Sequence, residues 1–106
     1  MSNGKVYLGS EIKINIHILP IQNYSMADYD WFIELFTKSN SIIKKRKGEC
    51  IRRDNDNYIV TLDTDDVGDG MLRFRLTAFI PDLDFDDGLR TEVVSGLIGV
   101  SILKSI

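Results

Sequence analysis

Residues Met71–Val94 read MLRFRLTAFIPDLDFDDGLRTEVV, and this stretch decides the fold class. Leu72, Phe74, Leu76, Ala78 and Ile80 recur at every second position, with Arg73, Arg75 and Thr77 between them. In an extended chain successive side chains point to opposite faces, so this alternation describes a long strand with one face in a core. Pro81 stops the strand and an acidic loop follows. The chain then re-enters extended structure at about Arg90 and continues to Leu103, with Gly96 and Gly99 marking a bulge or bend.

The same period runs outward from this unit. Ile12, Ile14, Ile16 and Ile18 alternate with Glu11, Lys13, Asn15 and His17, a second half-buried strand that Pro20 ends because proline cannot donate to a ladder. Asn23–Tyr29 carries turn-forming residues and has room for one helical turn. Asp30–Thr37 (DWFIELFT) is apolar on both faces except at Glu34, which predicts a central strand with Trp31, Ile33 and Leu35 facing one way. Lys38–Ser41 reads as a loop. Ile42–Lys47 reads as a short basic strand, since exposed lysines suit a sheet edge. Cys50–Arg53 is a further short pairing segment. Arg53–Asn57 has the chemistry of an Asx turn before the strand Tyr58–Asp63, in which Tyr58, Val60 and Leu62 alternate with Ile59, Thr61 and Asp63. In the connection Thr64–Gly70, Gly68 and Gly70 can take positive φ.

About seven strands with turns every 8–12 residues predict an all-β fold, an immunoglobulin-like β-sandwich of antiparallel strands, with a small closed barrel as the other option. At 106 residues the chain reads as a single domain, 1–106, with one modest core. Charged residues make up 27% and apolar residues 43%, an ordinary globular balance. No apolar run approaches the ~20 residues of a membrane span. MSNGKVYLGS has neither a basic n-region nor an apolar h-region, so synthesis in the cytoplasm is expected. A lone Cys50 excludes an internal disulfide framework.

The net charge of −3 hides segregation. Lys38–Arg53 holds seven basic residues against Glu49, whereas Asp54–Glu92 holds eleven acids against Arg73, Arg75 and Arg90. Segments of opposite sign on different faces favour salt-sensitive association.

These residues bear on four chemistries. Asp82, Asp84 and Asp86 occupy positions 1, 3 and 5 of a calcium-type loop, where oxygen ligands converge on a hard cation. The match stops there, because position 6 is Asp87 and position 12 is Val93. Asp63, Asp65, Asp66 and Asp69 would add ligands only if both loops share one end of the sandwich. No other cofactor is implied. Catalysis has little support, because His17 is the only histidine and lies on the polar side of its strand. Cys50 lacks an activating motif. Nucleic-acid binding would rest on Lys44, Lys45, Arg46, Lys47, Arg52 and Arg53, without interleaved aromatics to stack bases and against a pI near 5.0. The fourth chemistry is association. Val93, Val94, Leu97, Ile98, Val100, Ile102, Leu103 and Ile106 make a C-terminal ribbon apolar on both faces, which a monomer's edge strand could not keep dry. Val94, Leu97, Ile98, Val100, Ile102 and Leu103, with Phe79 opposite Ala78, are therefore the expected interface of a homo-oligomer, a dimer or trimer closed by symmetry.

The strings AFIPDLDFDDGLRTEVV (Ala78–Val94), YIVTLDTDDVGDGMLRFRL (Tyr58–Leu76) and WFIELFT (Trp31–Thr37) resemble small immunoglobulin-like modules of tailed bacteriophages and prophages. The likeness spans Glu11–Ile102 and is carried by strand-and-turn patterns. It implies a non-enzymatic virion structural protein of head-fibre, decoration or tail and baseplate attachment type, made in the host cytoplasm and assembled with other virion proteins. The alternative is a small bacterial or prophage-encoded binding module that uses its acidic loops.

Overall fold

In the computed structural model residues 4–39 and 41–104 are described. Eight strands follow in order: β1 (Gly4–Tyr7), β2 (Glu11–His17), β3 (Asp30–Phe36), β4 (Ile42–Arg46), β5 (Ile51–Asp54), β6 (Asn57–Asp63), β7 (Gly70–Pro81) and β8 (Leu89–Leu103). They form a five-stranded sheet, β1-β8-β7-β3-β4, and a three-stranded sheet, β2-β6-β5. Apolar alternation assigns the inner faces. Trp31, Ile33 and Leu35 of β3 and Leu72, Leu76, Ala78 and Ile80 of β7 meet Ile14, Ile16, Tyr58, Val60 and Leu62 from the smaller sheet. This is the sandwich of the immunoglobulin kind, including a buried Trp on the third strand of the set. Trp31 is 1% exposed. Its Nε1 donates to the Met26 carbonyl at 3.2 Å, and its ring meets Tyr58 edge-on at 5.0 Å, an arrangement favoured by the ring quadrupoles.

Two features depart from a purely antiparallel seven-stranded expectation. The first is β1, which pairs with the end of β8 in parallel, Gly4 with Val100 through Tyr7 with Leu103. Gly9, at φ +95°, turns the chain from the edge of the large sheet to the edge of the small one. Alternation over only four residues gave this strand no readable period. The second lies before and within the expected Asn23–Tyr29 turn segment, where a single turn closes over Ser25–Asp28 through the Asp28 amide to the Ser25 carbonyl at 2.8 Å and a tight hairpin precedes it. Ile21 and Tyr24 bridge across Gln22 and Asn23, both at positive φ, which is the backbone of a two-residue hairpin turn.

The expected bulge in β8 is present. Met71 pairs with Ser101 and Arg73 with Leu97, so Ile98, Gly99 and Val100 stand opposite Leu72 alone. Gly99 takes φ +89° there. Gly96 has another job. It lies across from Phe74, and a Cβ on Gly96 would stand 3.3 Å from Phe74 Cε1, so the missing side chain gives the ring its place. The cysteine segment begins one residue late, at Ile51, because a 3-10 turn over Lys47–Glu49 carries the chain between sheets.

No helix among the described residues is long and apolar enough to cross a membrane.

Candidate interaction surface

The sandwich is closed on one side and open on the other. On the closed side the 3-10 turn links β4 to β5. Lys47 is anchored there, its Nζ donating to the carbonyls of Ala27 at 2.9 Å and Tyr29 at 2.8 Å. The rest of the basic run stays at the surface, with Lys44 over the Phe32 ring at 4.1 Å. Cys50 lies beneath this run and its Sγ donates to the Arg46 carbonyl. Burial pushes the thiol pKa up, which keeps it protonated and unreactive at neutral pH.

On the open side the small sheet ends at β2 while the large sheet runs on to β8 and β1. An apolar cleft of about 700 Å³ lies between Ile14, Ile16 and Ile18–Ile21 on one wall and Phe74, Leu76, Val94 and Ile98 on the other. Its polar groups are few: Asn15, His17 and Glu92. His17 is held by the smaller sheet, with Nδ1 3.1 Å from both the Asp56 carbonyl and Asn57 Oδ1.

The expected interface residues do not form one patch. Val94 and Ile98 are on the cleft wall, with Val94 55% exposed. Leu97, 54% exposed, reaches the cleft rim, while Leu103 lies at the strand's far end. Phe79 is across the sheet from the core, tilted against Phe32 at 6.2 Å. Ile102, by contrast, is 1% exposed. It packs in the core with Val100 against it, so neither shares a patch with Leu97. The reason is β1, whose Val6 pairs with Ile102 and covers that end of β8. Ile106 is outside the described residues.

The calcium-type loop is built around an arginine. Asp82 Oδ2 accepts from Arg90 Nη1 at 2.8 Å, and Arg90 Nη2 donates to Glu92 at 2.7 Å. Asp82 Oδ1 accepts the Asp84 amide at 3.0 Å, so the carboxylate serves the turn. Asp82, Asp84 and Asp86 do not converge, and among the described residues no group of three or more His, Cys, Asp or Glu side chains is placed to hold a metal. Asp63, Asp65, Asp66 and Asp69 precede β7 and Asp82–Asp87 follow it, so the loops occupy opposite ends of a strand ~40 Å long. The two clusters cannot pool ligands. The hairpin tip does expose Leu83 almost fully and Phe85 and Leu89 in part.

Nothing in the residue pattern marks β2 as the wall of a cleft. Isoleucine alternation marks the buried face but not whether a neighbouring strand completes the sheet. Comparison with known protein families, curated proteins and solved structures finds no match to this chain.

Proposed function

We propose that this chain is a non-enzymatic structural module of a virion, in a head-fibre, decoration or tail and baseplate position. It assembles with itself and docks on neighbouring particle proteins through the open side of its sandwich. One observation carries this reading: Val94 and Leu97 of β8 are each more than half exposed and line, with Ile98, the mouth of the aliphatic cleft. A contiguous apolar surface of this kind marks an interaction site. The cleft is a poor reaction site, because aliphatic walls with three scattered polar groups offer no paired acid and base. The strand-and-turn resemblance to phage modules supplies the virion setting.

The experiment is sedimentation of particles from a host that expresses a tagged copy. The chain should band with particles at a fixed ratio to the other structural proteins, and Leu97→Asp should leave it in the soluble fraction. A wild-type chain that never bands with particles overturns the proposal.

A further inference from the structure

Every sheet edge in this molecule but one is guarded. β4 carries Lys44, Lys45 and Arg46. β5 is four residues long, carries Arg52, Arg53 and Asp54, and breaks register against β6. β2 alternates Glu11, Lys13 and His17 along its outward face, and β1 is four residues with Lys5 among them. Short length, charge and irregularity are the usual defences against edge-to-edge pairing. β8 is long and, apart from Arg90, Glu92 and the bulge at Gly99, has none of them. It is fifteen residues long, and β1 covers only Val100–Leu103. The edge of Leu89–Gly99 away from β7 has no partner among the described residues, a run of eleven residues or ~37 Å. Its two charges, Arg90 and Glu92, pair with each other, Arg90 binding Asp82 as well, and from Val93 to Gly99 there is no charge at all.

We infer that two copies of this chain pair β8 to β8, antiparallel about a two-fold axis at Val94, so that their five-stranded sheets become one. Val94 is the midpoint of the uncovered run, so this register uses the whole of it. Leu89 then faces the partner's Gly99, Thr91 the partner's Leu97, and Val94 the partner's Val94. Arg90 falls opposite the partner's Ile98 and Glu92 opposite the partner's Gly96, so no like charges are opposed. Beyond Leu89 the hairpin tip of each copy, with Asp84, Asp86 and Asp87, reaches the partner's β1. That strand carries Lys5, which is exposed. The acidic tip thus meets a cation at each end of the joint. Each copy has one such edge, so the pairing closes at a dimer and does not propagate.

This inference rests on the proposed assembly role but is tested apart from it. In a Cys50→Ala background, Val94→Cys should give a disulfide-linked dimer under mild oxidation, since directly opposed Cβ atoms lie within reach of a disulfide. Ser41→Cys, near the far edge of the same sheet, should not. By sedimentation equilibrium the wild type should be a dimer. Val94→Lys, at an exposed position, should raise the dimer Kd by roughly tenfold or more through opposed like charges. Lys5→Glu should weaken it less and flatten its salt dependence. A wild type that stays monomeric at roughly 1 mM overturns the inference, as does a dimer indifferent to Val94→Lys or cross-linked equally well through Ser41→Cys. A monomer that still bands with particles leaves the assembly role standing, and a β8 dimer never found in particles leaves only this inference.

Discussion

Gly68 sits at φ +84°, and a Cβ built on it would stand 2.8 Å from Ser39 Cβ and 2.9 Å from Ser39 Oγ. Both facts act against any side chain. The turn it makes matters because the Thr37 hydroxyl donates to the Val67 carbonyl at 2.8 Å, and Ser39 Oγ donates to the Asp69 carbonyl. These bonds tie the end of β3 to the start of β7. Gly68→Ala is expected to cost about 1–3 kcal/mol, the usual strain of a residue forced into the left-handed region, with the clash added. Urea denaturation of the pure protein measures it; an unchanged midpoint would mean that the loop relaxes freely. Gly88, also at positive φ, has nothing within 4 Å of its Cβ position, so strain alone acts there and Gly88→Ala should cost less.

At the scale of elements, β3 and β7 are locked in register by a cross-strand ion pair. Glu34 and Arg75 are directly opposite, joined by Nε–Oε1 at 2.9 Å and Nη2–Oε2 at 3.2 Å. The hydrogen bond from Arg75 holds the Glu34 carboxyl below its ordinary range, against a smaller opposing effect of burial. Because the folded value is the lower one, the pair's contribution is present above the unfolded glutamate pKa, about 4.3, and is lost as pH falls through the folded value. The wild type should therefore lose more of its denaturation midpoint than Glu34→Gln between pH 5 and roughly pH 3, by a small margin because the pair is half in solvent. Parallel pH profiles for the two proteins would remove this assignment. These strands were also the legible ones. Period-2 alternation named the inner faces of β2, β3, β6 and β7 residue by residue, and lysines marked β4 as an edge. What alternation cannot carry is partnership. Ile102 and Val94 have the same parity and chemistry, yet one is core and the other surface, because β1 lies beside the first only. Likewise the acidic residues of two loops match in composition, yet β7 holds the loops at its opposite ends.

At the scale of the molecule, extents of 53 × 26 × 23 Å and a radius of gyration of 15.0 Å exceed the ~13 Å of a spherical domain this size. The inner face of β7 stays buried along this length as far as Ile80, whereas β8 beside it changes surroundings, Val94 and Leu97 being exposed and Ile102 buried. One strand thus serves two environments, and its energetics should divide at the Gly99 bulge. Ile102→Ala empties a site 1% exposed and should cost about 2–5 kcal/mol, from lost transfer energy and the cavity left behind. Val94→Ala removes methyls already 55% in solvent and should cost no more than about 0.5 kcal/mol in dilute solution. The contrast sharpens with concentration. Where copies pair through β8, the Val94→Ala penalty should grow as protein is added, because association stabilises only the folded state, while the Ile102→Ala penalty should already be large at the lowest concentration. Denaturation series at low and high protein concentration separate the two. A Val94→Ala penalty as large as that of Ile102→Ala in dilute solution would place the outer half of β8 inside the core of a single copy, leaving no surface to offer a neighbour.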